Sequence, residues 1–359
     1  MKIMIVGDWH SDLHEEEVYR AILRLGHKPL RFRWVEYITP VSARPGSMLW
    51  LWKRLQDKFV FGPVIRQINR ELVKEVISKR PDVILIYRGT HIWANTVREI
   101  KRMLKGCFVI GYSNDDPFSM SQPKYLWRHF KESLKEYDLS VAYRHCNIRD
   151  FIEAGARHVH LMRSWYVKNR NYPLTLGSSD IERFGCDVVF AGHYEDDGRL
   201  AMLEEVIDQG YKLRVFGPER AWRLSIRKSS CLSTLKPIGV AWGEDYNKAL
   251  NGAKIALCFL SKLNRDTYTR RCFEIPATKT LLLAEYSDDL ASLFEEGIEA
   301  DFFRNRDEFI YKMKMYMHDE ELRREVAEAG YNRVQRSGHE IECRIAELIQ
   351  RSQEVQAGV

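Results

Sequence analysis

The chain has 359 residues, enough for two domains, and its 45% hydrophobic and 30% charged residues are typical of a globular protein. Its net charge of +6 is uneven, because residues 1–180 carry 30 Lys and Arg against 19 Asp and Glu, and the rest carry 26 against 31. The basic first half favours a partner with phosphate, a polyanionic glycan or an anionic membrane surface, and solvated helix faces are the alternative.

Three patterns exclude whole classes of protein. No run of about 18 apolar residues occurs, so no membrane span is expected. The first ten residues, MKIMIVGDWH, begin a strand at once and lack the regions of a signal peptide, so we expect a cytoplasmic protein. The seven cysteines are scattered without a CxxC pair, which favours reduced, mostly buried thiols and argues against a thiolate metal site.

Apolar strands alternate with helical segments through the first half. The predicted strands cover residues 2–7, 28–37, 81–87, 107–112, 137–143 and 159–162. The clearest helices cover residues 13–25, 64–79 and 147–154. The second of these is amphipathic, with Val64, Ile68, Leu72 and Val76 on one face. This alternation predicts a parallel sheet with helices on both faces.

The loop after the first strand argues against one class of ligand. Only Gly7 follows that strand, so the GxGxxG pattern of nicotinamide and flavin dinucleotide sites is missing. The loop instead carries polar groups that could act as a general base: Asp8, His10 and Asp12. Asp12 is equally well placed to N-cap the first helix.

A second polar loop follows the strand at residues 107–112. Asp115 and Asp116 stand at its tip and are also candidates for catalysis. The alternative is a structural role, because aspartates just before a proline, here Pro117, are typical of an Asx turn.

The stretch from Pro40 to Pro63 is the least regular part of the first half. It interleaves aromatic and basic side chains: Trp50, Trp52, Lys53, Arg54, Lys58, Phe59 and Phe61. One interpretation is a surface that docks on a membrane or on a lipid-linked molecule. The other, which we favour from the sequence, is a set of core aromatics with basic side chains that extend to solvent.

A polar stretch separates the two halves. Residues 171–185 contain Pro173, Gly177 and two serines and are the best candidate for a linker. The strands predicted beyond it cover residues 186–192, 211–217, 254–260, 281–284 and 300–304. Helical segments lie between and after them, and the last runs from His339 to Gln353. The pattern predicts a second α/β domain.

The segment from Ser261 to Glu285 carries the most chemistry, because buried strands bracket a loop and a predicted helix at 269–278. The loop contains guanidinium groups suited to phosphate oxygens: Arg265, Arg270 and Arg271. Asp266 and Glu274, eight positions apart, can accept hydrogen bonds from vicinal hydroxyls of a ribose or a sugar. The combination predicts a nucleotide-sugar site at the carboxyl end of a strand. A surface loop with solvated ion pairs is the alternative.

From Tyr246 to the end, the chain resembles the glycosyltransferase-like proteins of the spore-maturation type, in the GT-B superfamily. The shared pattern is Arg271-Cys272-Phe273-Glu274, an apolar strand, a segment from Leu290 to Phe294 ahead of Gly297, and a final helix after His339. The resemblance implies two Rossmann-like domains with parallel sheets facing each other across a cleft. The expected division is residues 1–170, a linker at 171–185, residues 186–338, and a helix at 339–359 that packs back on the first domain.

The resemblance also implies roles for the donor site. Glu274 would hold the ribose hydroxyls, Asp266 the sugar ring, and Phe273 lies in the same motif. Lys279 stands where the family usually has glycine, which puts the close approach of backbone to ligand in question. Gly192 and Arg199 match the family's phosphate-binding loop loosely, and the alternative for Arg199 is an ordinary residue in the first turn of a helix.

Two further residues and the acceptor side complete the expected site. Gly217 ends a strand where a base or ribose would lie, and Trp222 is placed either to stack on the base or to fill the core. The first domain would bind the acceptor. Asp8, His10 or Asp115 would deprotonate its hydroxyl if the reaction inverts the sugar's configuration.

The expected function is transfer of a sugar from a nucleotide-sugar to a glycan, a lipid-linked molecule or another cell-surface acceptor, as in polysaccharide biosynthesis. We expect the arginines to stabilise the leaving diphosphate, with no metal ion or other cofactor. Peripheral membrane contact through the basic half is expected, and binding of nucleic acid is not. The alternatives are a nucleotide-sugar epimerase of the same architecture and a non-catalytic glycan- or nucleotide-binding protein of surface or spore assembly.

Overall fold

The chain divides into two units, each built on its own parallel sheet. A computed structural model describes residues 1–39, 44–227, 229–235 and 239–358. The first unit comprises Met1–Arg163 with Ile341–Val359, and the second comprises Ser164–Glu340. The predicted α/β fold with two Rossmann-like sheets is confirmed.

The first unit has a six-stranded sheet in the order β2-β1-β3-β4-β5-β6. Its strands are β1 (Lys2–Gly7), β2 (Lys28–Arg33), β3 (Val83–Tyr87), β4 (Phe108–Tyr112), β5 (Leu139–Ala142) and β6 (Val159–Leu161). Its helices are α1 (Glu15–Arg24), α2 (Val35–Ile38), α3 (Met48–Phe59), α4 (Pro63–Lys79), α5 (Ala94–Met103), α6 (Arg128–Ser133) and α7 (His145–Glu153). All residues of β3 and β4 are buried, as expected for central parallel strands with both faces covered.

The second unit has a five-stranded parallel sheet in the order β11-β10-β9-β7-β8. Its strands are β7 (Cys186–Ala191), β8 (Leu213–Phe216), β9 (Ala253–Cys258), β10 (Leu281–Glu285) and β11 (Asp301–Phe303). Its helices are α8 (Ser178–Phe184), α9 (Arg199–Asp208), α10 (Glu219–Ile226), α11 (Glu244–Asn251), α12 (Arg271–Glu274), α13 (Asp288–Ala291), α14 (Arg306–His318) and α15 (Glu320–Arg336). The last helix of the chain, α16 (Ile341–Ala357), belongs to the first unit.

Contacts within the first unit hold α16 in place. An ion pair joins Arg24 of α1 to Glu342. His160 Nε2 lies 3.1 Å from a carboxylate oxygen of Glu347, and Gln356 donates to the carbonyl of Gly106 over 3.2 Å. The final helix is therefore part of the fold of the first unit, although the chain leaves that unit at residue 163.

The segment predicted as a linker is structured, and the two units divide after Arg163, seven residues before the predicted boundary. Residues 171–185 lie in the second unit and include α8. Two asparagines of α11 hold the start of this segment: Asn247 Oδ1 accepts from the backbone N–H of Tyr172 over 3.2 Å, and Asn251 Oδ1 accepts from that of Leu174 over 2.7 Å. Polar composition indicated a linker, but these hydrogen bonds pair its backbone.

The stretch at residues 40–63 also differs from expectation. Residues 40–43 lie outside the described residues, and the remainder contains α3, which Ser47 caps by accepting from the N–H of Trp50 over 3.2 Å. Trp52, Phe59 and Phe61 are exposed, so the prediction of core aromatics is wrong for them. No helix in the described ranges combines the length and apolar character that a membrane crossing requires.

Candidate functional site

The strand order reverses at one point in the second sheet, between β9 and β7. In open α/β sheets ligands bind outside the carboxyl ends of the strands at such a reversal. Gly192 directly follows β7 there, and a loop from β9 leads to α12. The helix predicted at residues 269–278 is shorter than expected, because α12 ends at Glu274 and Pro276 begins a 3-10 turn to Thr278.

Arg271 lies at this reversal point. Its Nη1 donates to the carbonyl of Ala191, at the end of β7, over 3.3 Å. Its Nε is buried and has no hydrogen-bond partner within the described residues. A Cβ atom added at Gly192 would lie 3.1 Å from Nη1, so glycine keeps the guanidinium uncrowded. The side chain therefore retains donor capacity at the place where a ligand is expected.

The positive charge of Arg271 shifts the pKa of neighbouring groups. Burial and this charge lower the pKa of His193. The sulfur of Cys272 lies 3.6 Å from that of Cys258. The hydrogen bond from Cys272 and the charge of the Arg271 guanidinium lower the pKa of Cys258 to about 6. The pKa of Arg271 is raised despite its burial, mainly by Cys258 and Tyr246, so its charge persists. The reversal point is electropositive and suited to an anion.

Glu274 lies one helical turn after Arg271, on the same face of α12. Its side chain is buried, and one carboxylate oxygen accepts from the hydroxyl of Tyr246 over 2.9 Å. Burial raises the pKa of Glu274, and the charge of Arg270, the Tyr246 hydrogen bond and the charge of Arg271 partly offset that rise. A buried carboxylate beside a buried cation is typical of a functional site, although structural pairs share this feature.

Phe273, the third residue of the motif, packs inside the second unit. Its ring is fully buried and stacks on His339 with centroids 4.0 Å apart, and it packs edge-on against Tyr268. This packing favours a core role, and donor contact through Phe273 stays a prediction. In the helix, Phe273 faces the core, which leaves Arg271 and Glu274 on the other side of the turn.

The side chain of Arg199 is also hydrogen-bonded within the protein. Its Nε and Nη2 donate to the two carboxylate oxygens of Asp197 over 2.8 and 2.5 Å, and its Nη1 donates to the carbonyl of His193 over 2.6 Å. The residue is buried and begins α9 behind Gly198, whose φ of 93° favours glycine. These bonds engage all three of its nitrogens within the protein, and a phosphate contact by Arg199 stays a prediction. The same bonds shape the loop after β7.

Gly217 and Trp222 also shape that loop. Trp222 is buried and its indole N–H donates to the carbonyl of Gly192 over 3.0 Å, so it fills the core and does not stack on a base. A Cβ atom added at Gly217 would lie 2.2 Å from the same carbonyl oxygen. Glycine is thus required at the end of β8 for two backbones to approach.

The remaining predicted donor residues lie in the loop before α12. Arg265 is exposed and has a left-handed φ of 49°. Asp266 is half-buried, and its backbone N–H donates to the carbonyl of Ser261 over 2.9 Å. The guanidinium of Arg270 lies 5.0 Å from the ring centre of Trp165.

Lys279 stands in the left-handed region, with φ of 58° and ψ of 30°. Glycine adopts this conformation without cost, which explains its use at the corresponding position in the resembling proteins. The Lys279 side chain turns toward α15, where Nζ lies 2.7 Å from Glu328 and 4.7 Å from the ring centre of Tyr331. The substitution is accommodated by this ion pair on α15.

The first sheet reverses between β1 and β3, and the predicted catalytic residues meet there. His10 Nδ1 lies 2.9 Å from Asp8 Oδ1. Arg88, after β3, places Nη1 3.8 Å from Asp8 and Nε 3.3 Å from Asp115. Burial opposes ionisation of Asp8, but His10 and Arg88 lower its pKa to about 2. The hydrogen bond to Asp8 raises the pKa of His10.

Glu15 belongs to the same cluster and was not predicted from the sequence. Its Oε1 accepts from the backbone N–H groups of Asp8 and Trp9, over 3.1 and 3.4 Å. Its Oε2 is buried and has no hydrogen-bond partner in the described part of the chain. Burial and the negative charge of Asp8 raise the pKa of Glu15 to about 7. Two carboxyl groups whose pKa values are pushed apart are typical of acid–base sites.

The raised pKa of Glu15 predicts a pH dependence of stability. Between about pH 4.5 and pH 7 the folded chain keeps a proton that the unfolded chain releases, so the free energy of unfolding falls as the pH rises. The fall is at most about 3 kcal/mol. The lowered pKa of Asp8 acts in the opposite sense and only below about pH 4.

We expect Glu15→Gln to flatten this dependence. Urea unfolding measured from pH 4.5 to pH 8 checks it, with Glu16→Gln as the matched control, because Glu16 lies on the same helix in ion pairs with Arg20 and Arg31. The control should retain the wild-type slope. A wild-type protein with no fall over this range would contradict the assignment.

Two further aspartates, Asp116 and Asp12, were candidates for more than one role. Asp116 is fully buried, and its Oδ1 accepts from the N–H of Phe118 and the amide of Asn147, which is the predicted Asx-turn alternative. Asp12 does not cap the first helix, because α1 begins at Glu15 behind His14. In the described residues no group of three or more His, Cys, Asp or Glu side chains is placed to hold a metal ion.

Known proteins share this architecture. Residues 199–350 match the family model described as glycosyl transferase-like. No curated protein matches the sequence. The structure is similar to sucrose-phosphate synthase from Thermosynechococcus elongatus, with a TM-score of 0.71, 10% identity and coverage of 100% of both chains.

Two further structures extend the comparison. HepE from Anabaena in complex with UDP-glucose gives a TM-score of 0.65 at 12% identity, over 100% of both chains. A candidate UDP-N-acetylglucosamine 2-epimerase from Listeria monocytogenes gives 0.60 at 9% identity, over 100% of this chain and 97% of the other. At these identities the likeness shows the fold, and the narrower resemblance to the spore-maturation type stays a prediction. Residues 199–350 match the glycosyl transferase-like family model, and the similar solved structures show that the chain has the GT-B fold.

Proposed function

We propose that the second unit binds a nucleotide-sugar at the point where its strand order reverses, and that the sugar is transferred to a glycan, a lipid-linked molecule or another cell-surface acceptor. One observation carries the proposal. Arg271 and Glu274 lie one turn apart at that point, with a buried guanidinium nitrogen still lacking a partner in the described residues and a buried carboxylate held by Tyr246. A cation and a carboxylate at this spacing suit a diphosphate and a ribose.

Each side chain has a role in this proposal. Arg271, with the uncrowded backbone at Gly192, binds the diphosphate and stabilises the charge that develops on it as the sugar leaves. Glu274 accepts hydrogen bonds from the ribose hydroxyls. Asp266 orients the sugar ring, and Arg265 and Arg270 add positive charge in the same loop. These cationic groups supply the charge stabilisation that a metal ion provides elsewhere, so we propose a metal-independent reaction.

The first unit supplies the acceptor chemistry in this proposal. If the reaction inverts the sugar's configuration, His10 takes the proton from the acceptor hydroxyl, because Asp8 accepts from its other ring nitrogen and stabilises the cation that forms. Asp115 is the alternative base. A reaction that retains configuration does not require either.

UDP-sugars are the first donors to test, because HepE of the same fold was solved with UDP-glucose. Calorimetry with UDP-, GDP-, TDP- and CMP-sugars tests the proposal, followed by analysis of the products. Binding with slow hydrolysis supports a transferase. Binding with formation of an isomer supports the epimerase, which the likeness to the Listeria monocytogenes protein keeps as the second candidate. No binding to any donor overturns both.

A further inference from the structure

Helix α3 turns its apolar face outward, which is the reverse of the usual arrangement for a helix on a water-exposed surface. Its polar side chains face the body of the first unit. Lys53 donates to the carbonyl of Tyr37 over 3.0 Å, Gln56 is buried and accepts from the N–H of Val64 over 2.8 Å, and Asp57 lies 3.1 Å from His91. These contacts fix which face of the helix turns outward.

The outward face is an apolar stripe at helical spacing. Four of its residues follow the pattern i, i+4, i+7, i+11 and stay 48–82% exposed: Met48, Trp52, Leu55 and Phe59. Leu51 and Phe61 widen it, and the ring of Tyr125 lies 5.6 Å from that of Phe59. The stripe is roughly 16 Å long at 1.5 Å per residue. A contiguous apolar surface of this kind marks an interaction site.

The basic residues around the stripe indicate the class of partner that it fits. Residues 44–70 contain six Lys and Arg and a single acid, Asp57, which lies on the inner face of α3. Arg54 and Lys58 are exposed beside the stripe, and Arg128 lies 6.0 Å from the ring of Phe61. An apolar stripe with aromatic residues and flanking cations is the composition of helices that lie in the interface of an anionic bilayer.

We propose that α3 and Phe61 form a docking face that lies flat on an anionic lipid surface. The stripe enters the boundary between headgroups and acyl chains, and Arg54 and Lys58 contact lipid phosphates. The inference gives a defined surface and a lipid class to the peripheral membrane contact that the basic first half led us to expect. It concerns adsorption alone and stands whether or not a sugar is transferred.

Co-sedimentation of the full chain with vesicles tests this face, using phosphatidylcholine alone and phosphatidylcholine mixed with phosphatidylglycerol. We expect binding to the mixed vesicles and little to the neutral ones. Trp52→Ser with Leu55→Ser should reduce binding about tenfold or more. Arg54→Gln with Lys58→Gln should also reduce it about tenfold and remove the preference for the anionic lipid, since each cation near such a surface contributes roughly fivefold.

The matched control is Leu224→Ser with Tyr311→Ser, because these side chains of the second unit are 65% and 66% exposed, as open as the stripe. The control should bind vesicles as the wild type does. Equal loss in the control, or no vesicle binding by the wild type, overturns the inference. Sedimentation without lipid adds one more decisive outcome, because a dimer that the α3 variants dissociate would show that a second copy covers the face. Donor calorimetry on the same variants should be unchanged, which separates this test from that of the proposed function.

Discussion

An Arg271→Gln variant is expected to bind UDP about 100-fold more weakly than the wild type, while its affinity for the nucleoside uridine changes little. The reason is that in the proposed site the guanidinium bonds the diphosphate and not the base or ribose, and a charge-assisted pair of this kind is worth roughly 2–3 kcal/mol. Slow hydrolysis of the bound UDP-sugar should fall by about 10²–10³-fold, because the leaving charge loses its donor. Calorimetry and a hydrolysis assay measure the two effects.

Arg304→Gln is the matched control for this variant. Arg304 is an arginine of the same unit whose guanidinium lies 2.7 Å from Glu296, in an exposed ion pair near the end of β11. Its replacement should leave UDP affinity and hydrolysis unchanged. Arg271→Lys keeps the charge without the fork, so it should recover only part of the affinity. Thermal unfolding of each variant separates loss of the site from loss of the fold, and equal weakening by the two glutamine variants would remove Arg271 from the site.

A Glu274→Gln variant is expected to lose affinity for both uridine and UDP, by roughly 10- to 100-fold. In the proposed site the carboxylate accepts from ribose hydroxyls, and the change replaces it by a weaker neutral acceptor. The fold should persist, since Gln has the same shape and still accepts from Tyr246. Titration calorimetry measures the affinities, and urea unfolding measures the stability.

Asp301→Asn gives a matched control for Glu274→Gln. Asp301 is also a buried carboxylate that accepts from a tyrosine, Tyr316, over 2.8 Å, but Lys312 pairs with it at 2.8 Å and it begins β11, at the far edge of the sheet. We expect this change to lower stability and leave UDP affinity intact. The opposite pattern, with stability lost in Glu274→Gln and affinity lost in Asp301→Asn, would contradict the assignment.

The sequence predicted both sheets because central parallel strands are buried on both faces and therefore stand out as short apolar runs. It also placed Asp8, His10 and Asp115 in loops after strands of the first sheet, and parallel strands bring such loops to one edge of their sheet. Arg271 was expected in the segment that follows β9 in the second sheet. Element limits were less accurate where a proline intervened, as at Pro276 after α12.

The direction in which a side chain points could not be predicted in the same way. Arg199 and Arg271 are equally basic in the sequence, but Asp197 occupies the first and nothing in the described residues bonds Nε of the second. Glu15 is one of three consecutive glutamates, and only the phase of α1 decides which of them reaches the loop after β1. In α3 the spacing of apolar residues predicts an apolar face, but it does not show whether that face packs on the core or is exposed.

The most direct measurement compares UDP with 2′-deoxy-UDP on the wild type and on Glu274→Gln by titration calorimetry. If Glu274 holds the ribose, the wild type should prefer UDP by about tenfold, and the variant should bind both nucleotides with nearly equal, weaker affinity. A variant that keeps the full preference for UDP would show that the ribose lies elsewhere, and the donor site at α12 would have to be abandoned.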